Sequence, residues 1–247
     1  MNADLRVQGL KDSSETMDKA KEIVNMALAQ KRSLLEPEAK ALINSVGIPI
    51  PSSGAARDED EAVNIAESIS YPVVLKVISP QVIHKTDFGG VKIGARNKDE
   101  VKRDFSDIIE NIRRKVPDAE VIGILVEKMA FQSTEVIIGG IRDLQFGPAI
   151  MFGLGGIFTE ILKDISFRLA PITKKEALGM MEELKGYPLI EGYRGSKPLD
   201  RESLSDTMVK VSKLMEEIKD IQEVDLNPVF LYPEGLTVVD ARIILKV

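Results

Sequence analysis

The stretch "YPVVLKVISPQVIHKTDFGGVKIGA", residues 71–95, decides what kind of fold this chain can form. Its first part, "YPVVLKVIS", is a short, β-branched and largely apolar run, which predicts a buried strand. "GGVKIGA" predicts a second strand, and the polar segment between the two holds His84, the only histidine in 247 residues. Because Pro80 and the Gly89-Gly90 pair flank this segment, we expect His84 to lie on an exposed loop.

Two features of this stretch each allow two interpretations. Lys76 lies inside the apolar run, where a charged side chain is rarely buried without a partner. Its ammonium either contacts an anion such as a nucleotide phosphate or faces outward from an edge strand. Gly89 and Gly90 either let the backbone approach a phosphate closely or form a simple hairpin turn. The sequence contains no GxxxxGK[ST] phosphate-binding loop.

Helices and strands alternate along the rest of the chain. Apolar residues recur at helical spacing within 16–30, 35–46, 59–69, 101–112, 177–184 and 204–218. Asp200 is expected to cap the last of these helices. Apolar runs between the helices predict strands, so the pattern indicates an α/β or α+β fold. We expect a division near residues 127–131, because strand–helix groups lie on either side.

Composition excludes several classes of protein. The net charge of −6 argues against a nucleic-acid binder that relies on overall positive charge. The chain has no cysteine and one histidine, which excludes a disulfide framework, a thiolate metal site and a multi-histidine metal site. No basic-then-apolar leader and no apolar run of about 18 residues is found, so we expect a cytoplasmic protein.

The last 27 residues predict a hairpin with oxygen donors on its strands. "IQEVDLNPVFLYP" and "LTVVDARIIL" are joined by a Pro-Glu-Gly turn. Asp225 and Asn227 are two apart and share a face, and Asp240 is expected opposite them. Mg²⁺ prefers such carboxylate and amide oxygens together with water and substrate phosphates. The alternative is a set of solvent-facing polar positions on an exposed sheet.

Four further residues stay open from sequence alone. Glu127 and Glu135 flank the expected division and are either hinge acids around a ligand or solvated side chains. Arg168 is either an anion clamp or half of a salt bridge. His84 is either an ordinary surface residue or a nucleophile that holds a phosphoryl group covalently.

The motifs taken together resemble a known family. The segments that carry the resemblance are "YPVVLKV", "IHKTDFGGVKIG", "ILVEKM", "IGGIRDLQFGPAIMFGLGGIFTEILKDISFRLAPI" and "DLNPVFL…TVVDAR". They are similar to the ATP-grasp (β) subunit of ADP-forming acetyl-CoA synthetases and, more widely, to the β subunit of succinyl-CoA synthetase. The resemblance covers the chain from about residue 33 to its end.

The resemblance implies an α/β (α+β) ATP-grasp fold, in which two α/β subdomains enclose a nucleotide. The expected organisation is an N-terminal tail and helix over residues 1–32, a first subdomain over 33–128 and a second over 129–247.

The resemblance also implies roles for individual residues around ATP or ADP. Lys76 would contact nucleotide phosphate, and Gly89 and Gly90 would form the turn that covers the phosphates. The remaining expected positions are Glu127 with the backbone of Lys128 and Met129 for adenine, Glu135 for the ribose, Asn227 and Asp240 for Mg²⁺, and Asp225 close to the reacting phosphate.

His84 would match the second phosphohistidine of the acetyl-CoA branch, since succinyl-CoA synthetase β subunits lack a histidine there. It would pass a phosphoryl group from a separate α subunit to ADP. That α subunit would carry the CoA-binding and acyl-phosphate-forming domains in an α2β2 complex. The alternatives are the β subunit of a succinyl-CoA or other acyl-CoA ligase, and a non-catalytic nucleotide-binding regulatory module.

Overall fold

The computed structural model describes residues 2–156 and 163–247, and for residues 2–14 it describes the backbone only. The chain divides into two compact units. The small unit is Pro51–Phe131, and the large unit combines Met1–Ile50 with Gln132–Val247. The expected division near residue 128 lies close to the second boundary. Residues 33–50, which we expected in the first subdomain, group instead with the large unit, because helix α2 packs on its sheet.

The small unit is a four-stranded sheet with two helices. Its elements are β1 (Ser53–Ala56), α3 (Glu59–Ile69), β2 (Val73–Ile78), β3 (Val91–Ala95), α4 (Lys98–Lys115) and β4 (Gly123–Lys128). The strand order is β1-β4-β2-β3, and each neighbouring pair is antiparallel. Strand β2 is therefore an interior strand and is buried along its whole length, as the apolar run predicts.

Local sequence signals set both helices of the small unit. Asp58 and Asn97 are the N-caps of α3 and α4, and each side chain accepts a hydrogen bond from a backbone N–H three residues later, at 2.8 Å and 2.9 Å. The apolar faces of the helices then pack on one face of the sheet. That core includes Val73, Leu75, Val77, Val101, Ile108, Ile112, Ile124 and Val126.

The large unit is a six-stranded sheet covered by helices. Its elements are α1 (Asn2–Ala29), α2 (Glu36–Ser45), β5 (Thr134–Asp143), β6 (Gly147–Leu154), β7 (Ile165–Leu169), α5 (Lys174–Glu182), α6 (Pro188–Glu191), α7 (Arg201–Glu217), β8 (Ile221–Leu231), β9 (Leu236–Val238) and β10 (Ala241–Leu245). The order is β10-β8-β5-β6-β7, with β9 also paired to β8. Every strand pair in the described part of the chain is antiparallel, so the fold is of the α+β type.

One face of this sheet carries the core of the large unit. Helix α7 packs against β5, β6 and β8, and helix α2 packs against β10. Asp200 caps α7 as predicted: its carboxylate accepts hydrogen bonds from the N–H of Ser203 at 2.9 Å and from the N–H of Gly235 at 2.7 Å. The second bond ties the start of the helix to the turn between β8 and β9.

Helix α1 differs from the sequence expectation. Helical spacing is clear only from residue 16, but the structure has a helix that begins at Asn2. Its second half buries Ala20, Val24 and Ala27 in the core of the large unit. No helix among the described residues combines the length and apolar character needed to cross a membrane.

Two glycine substitutions in the large unit should change stability in opposite directions. A Cβ at Gly155 would lie 2.6 Å from the Cβ of Glu135 and 3.0 Å from its backbone. Gly155→Ala should therefore destabilise the unit by about 1–3 kcal/mol through overpacking. Gly179 lies within α5 and a Cβ there meets nothing within 4 Å. Gly179→Ala should stabilise by about 0.5–1 kcal/mol through reduced backbone entropy.

Urea unfolding of both variants and the wild type checks this pair. A Gly155→Ala chain as stable as wild type would show that the close approach of Gly155 to Glu135 does not constrain the residue at position 155.

Candidate functional site

Lys76 and Glu127 form a buried ion pair in the middle of the small unit's sheet. Glu127 lies opposite Val74 in the register of β2 with β4, so it shares a face with Lys76 two residues further on. The Lys76 Nζ lies 3.3 Å from the Glu127 Oε1, and the two side chains are 5% and 2% exposed. Because β2 is an interior strand, the outward-facing interpretation of Lys76 is wrong. The anion in contact with Lys76 is a carboxylate of the same unit.

Lys128 and Met129, the two residues after Glu127, donate hydrogen bonds to carbonyls elsewhere in the small unit. The backbone N–H of Lys128 donates to the Ser52 carbonyl at 2.8 Å, and the N–H of Met129 donates to the Pro72 carbonyl at 3.1 Å. The Lys128 ammonium also donates to the carbonyl of Tyr71 at 2.8 Å. An adenine ring that accepted hydrogen bonds from these two backbone N–H groups would first have to displace the Ser52 and Pro72 carbonyls. The adenine-reading role of residues 127–129 stays a prediction.

The loop between β2 and β3 presents His84 to solvent. His84 is exposed, whereas Val82, two residues before it, is 1% exposed and belongs to the core of the small unit. The loop is built from short turns: the N–H of Asp87 donates to the His84 carbonyl at 3.2 Å, and the N–H of Gly90 donates to the Lys85 carbonyl at 2.7 Å. The backbone of His84 is therefore fixed by a hydrogen bond within the loop, while its imidazole stays accessible to solvent.

Gly89 and Gly90 are required by the geometry of this loop. Gly89 has a φ of +70°, and a Cβ at Gly90 would lie 2.7 Å from the Val77 Cγ1. Asn111 on α4 donates to the Gly89 carbonyl at 3.3 Å. The glycines thus serve a tight turn packed against α4 and β2. A phosphate-covering role for them stays a prediction.

The large unit gathers the predicted oxygen donors on β8 and the β9–β10 turn. Asp225 and Asn227 point away from the core on β8, while Leu226 between them is fully buried. The N–H of Asn227 donates to the Asp240 carbonyl at 3.2 Å, which brings Asp240 beside Asn227, as the hairpin predicts. Among the described residues, no group of three or more His, Asp and Glu side chains is arranged to hold a metal. Two carboxylates and one amide, completed by substrate phosphate oxygens, fit the donor chemistry of Mg²⁺.

Arg242 is a residue at this site that the sequence reasoning missed. It lies opposite Asp225 in the β10–β8 register and forms an ion pair with Glu223 at 2.6 Å. Its Nε is buried and has no hydrogen-bond partner in the described part of the chain. Its position in the sequence could have indicated this, because Arg242 lies two residues after Asp240 and residues two apart along a strand share a face. Arg242 thus places a positive charge next to Asp225 on the face of the sheet that carries the oxygen donors.

Two other predicted residues lie apart from these donors. Glu135 is exposed at the start of β5, opposite Phe230, and its carbonyl accepts from the N–H of Gly155 at 2.7 Å. Arg168 on β7 forms a salt bridge with Glu183, which favours the salt-bridge interpretation. Residues 157–162, within the central block of the resemblance, lie outside the described residues.

Breaking the Lys76–Glu127 pair should be costly. Lys76→Met would leave a buried carboxylate without the ammonium at 3.3 Å, and such losses cost about 3–5 kcal/mol. The double variant Lys76→Met with Glu127→Gln removes both charges and should recover most of that loss. A double-mutant cycle of urea unfolding free energies, with Glu127→Gln as the fourth corner, checks the coupling. Additive effects of the two substitutions would contradict it.

The ionisation of Asp225 should oppose stability at neutral pH. Burial raises the pKa of Asp225; Arg242 lowers it, while Glu223 and Asp240 raise it further. A pKa raised by folding means that the charged form is less favourable in the folded chain, so the cost exists above that folded pKa and vanishes below the unfolded value of about 3.9. Asp225→Asn should thus be more stable than wild type at pH 7, and the difference should shrink as the pH falls towards 4. Unfolding curves at several pH values check this, and a pH-independent difference would contradict it.

Comparisons with known proteins give the family. Residues 26–245 match the model of the ATP-grasp domain. The chain is 52% identical over 227 residues to the acetate–CoA ligase [ADP-forming] I subunit beta of Pyrococcus furiosus, covering 92% of this chain and 98% of that protein. It is 44% identical over 245 residues to acetate–CoA ligase [ADP-forming] I of Archaeoglobus fulgidus, covering 99% of this chain but 36% of that longer protein.

Solved structures agree with the sequence matches. The acetyl-coenzyme A synthetase 1 of Candidatus Korarchaeum cryptofilum in complex with coenzyme A, Ca-AMPCP and HgCl⁺ matches with a TM-score of 0.90 and 48% identity, over 92% of this chain and all of that one. Another structure of that protein, in complex with coenzyme A and Mg-AMPPCP, matches with a TM-score of 0.81 and 44% identity, over 92% of this chain and all of that one. In that structure the phosphohistidine segment points towards the nucleotide binding site. This chain is therefore a member of the ATP-grasp family and belongs among the β subunits of ADP-forming acetate–CoA ligases.

Proposed function

We propose that this chain is the nucleotide half of an ADP-forming acetyl-CoA synthetase, which converts acyl-CoA, ADP and phosphate to carboxylate, ATP and CoA. The observation that carries the proposal is His84. It is the only histidine of the chain, and it is exposed on a loop within a sequence that matches a ligase β subunit over 92% of its length. A phosphoryl carrier needs such an accessible imidazole.

His84 takes part in two transfers. A ring nitrogen of His84 attacks the phosphorus of a phosphohistidine on the partner. A new N–P bond forms and the old N–P bond breaks, so that the partner's imidazole leaves and takes up a proton while His84 gives up its own ring proton. A β-phosphate oxygen of ADP then attacks the phosphorus on His84. The O–P bond of ATP forms, the N–P bond breaks, and the imidazole recovers a proton. Dividing the reaction in this way lets one group serve two separate sites.

Positioning and charge neutralisation decide the rate of phosphoryl transfer. Lys76, oriented by Glu127, and the turn at Gly89 and Gly90 would hold the nucleotide phosphates. Asn227 and Asp240 would hold Mg²⁺, which neutralises phosphate charge when bound. Asp225 and Arg242 lie beside those two donors and would face the reacting phosphate. Glu135 would contact the ribose, and the backbone of residues 127–129 would contact the adenine. The Lys128 and Met129 N–H groups would then bind the adenine in place of the Ser52 and Pro72 carbonyls.

A partner must supply the other half of the reaction. The Archaeoglobus relative is nearly three times as long as this chain, which supports a separate α subunit with the CoA-binding and acyl-phosphate-forming domains. We infer an α2β2 complex in the cytoplasm, where nucleotide, CoA and phosphate are all available. The loop that carries His84 would turn between the partner's phosphohistidine and the bound ADP.

The phosphohistidine is directly testable. Incubated with γ-labelled ATP and Mg²⁺, the wild-type chain should take up acid-labile, base-stable phosphate, and His84→Ala should take up none. Because the chain has one histidine, a phosphohistidine signal in ³¹P NMR needs no mapping. Thr86→Ala, an exposed change on the same loop, is the matched control and should keep the label. Acid-labile phosphate on the His84→Ala chain would overturn the assignment.

Reconstitution separates the alternatives. With the α subunit, acetyl-CoA, ADP and phosphate, the complex should form ATP, and other acyl-CoA substrates then reveal which acid is preferred. ADP binding without ATP formation from any acyl-CoA would favour the regulatory module.

A further inference from the structure

Helix α2 contains a buried ion pair that the proposed reaction does not use. Lys40 and Glu36 lie one turn apart, with 3.0 Å between the Lys40 Nζ and the Glu36 Oε1. The two side chains are 1% and 3% exposed, and Lys40 is among the largest fully buried side chains of the described chain. Lysine and glutamate are almost never buried this completely unless they are paired.

The Lys40 ammonium also binds the backbone next to the candidate metal site. It donates a hydrogen bond of 2.7 Å to the carbonyl of Val239, which is 199 residues away in sequence. Val239 directly precedes Asp240, one of the two predicted Mg²⁺ donors. A hydrogen bond from a charged donor is shorter and about twice as strong as a neutral one. Helix α2 is therefore joined by a strong, directional bond to the residue before Asp240.

Asp240 depends on such bonds because it lies outside the regular ladder. Strand β9 ends at Val238 and β10 begins at Ala241, so the two residues between them belong to neither strand. The segment is held by the N–H of Val238 on the Pro49 carbonyl at 2.9 Å, the N–H of Val239 on the Pro228 carbonyl at 3.0 Å, and the N–H of Asn227 on the Asp240 carbonyl at 3.2 Å. Pro49 follows α2, so this helix and its C-terminal extension supply two of these four hydrogen bonds, the Lys40–Val239 bond included.

The chemistry of the pair indicates positioning more than stability. Replacing a buried ion pair by apolar side chains of similar volume is often neutral or stabilising. What an apolar pair cannot do is bind the Val239 carbonyl. We propose that Lys40, oriented by Glu36, is a positioning residue that fixes the backbone at Val239 and thereby aims the Asp240 carboxylate at Mg²⁺. This inference rests on the proposed function of Asn227 and Asp240 as metal donors.

The test measures how strongly a metal and a nucleotide assist each other's binding. ADP affinity of the full chain is measured by calorimetry with MnCl₂ and again with EDTA, and the ratio of the two dissociation constants is the metal coupling. The Lys40→Met and Glu36→Met double variant removes both buried charges at similar volume. Its metal coupling should fall about tenfold or more, the usual effect of losing a residue that orients a metal ligand. Its affinity for ADP in EDTA should match wild type, since a merely structural defect would lower both affinities.

Three further variants sharpen the comparison. Lys210→Met is the matched control: its ammonium donates to the carbonyl of Gly47, two residues past the end of α2, at 2.6 Å, and its loss should leave the coupling unchanged. Glu36→Gln keeps the volume and one acceptor and should lose part of the coupling, which tests the idea even if the double variant does not fold. Lys40→Cys introduces the only cysteine of the chain. Alkylation with bromoethylamine in denaturant, followed by refolding, restores an ammonium and should restore the coupling.

The outcomes separate the inference from the proposed function. Wild-type coupling in both the double variant and Glu36→Gln, together with lost coupling in Asp240→Ala, would overturn the role of Lys40 and keep the metal site. A wild-type chain that binds ADP equally with MnCl₂ and with EDTA would overturn the metal site and this inference with it. Reduced coupling in Lys210→Met as large as in the double variant would show a general loosening of α2 and would also overturn the inference.

Discussion

The pairing of strand β8 with β5 on one side and β10 on the other is the constraint on which the large unit depends. Val224 and Leu226 are buried in the core of the large unit and set the register, because a shift of one residue would turn them to the opposite face. The same register leaves Asp225 and Asn227 on the face away from the core. Burial of apolar side chains thus fixes the register of β8 and with it the positions of the oxygen donors, which do not themselves determine the register.

Buried charges have a consistent place in both units. Lys76 with Glu127 and Lys40 with Glu36 are ion pairs almost without exposure, and each lies on or beside an element that carries predicted site residues. Desolvation makes such pairs poor sources of net stability. Their benefit is orientation, since an ammonium in a low-dielectric interior holds its few acceptors firmly. In the small unit the paired ammonium itself is the predicted phosphate contact, whereas in the large unit it acts through a backbone carbonyl.

The loop that carries His84 combines a firm base with an accessible tip. Val82 is buried in the small unit's core, and Asn111 and Lys115 of α4 bind the Gly89 and Asp87 carbonyls. These contacts are few, and a segment held by few buried contacts is the kind that opens locally at low cost. A phosphoryl carrier that serves two sites needs this combination, because a fully packed loop would not move and an unanchored one would not present the imidazole in a defined place.

Local patterns in the sequence predicted most elements and the chemical type of the site. The buried run at 73–78, the Asp200 cap, the closing hairpin and the exposed His84 follow from residues close together in the chain, and the family resemblance was confirmed by the comparisons. Long-range contacts decided the rest. Sequence could not show that Lys76 meets Glu127, that residues 33–50 join the large unit, or that Arg242 faces Asp225, because each requires partners brought together by sheet pairing or helix packing. Lys40 is an example: in the sequence it is one charged residue of an amphipathic helix, with nothing that distinguishes it from the others. Its proposed role follows only from the fold, which buries its ammonium against the carbonyl of Val239, 199 residues away.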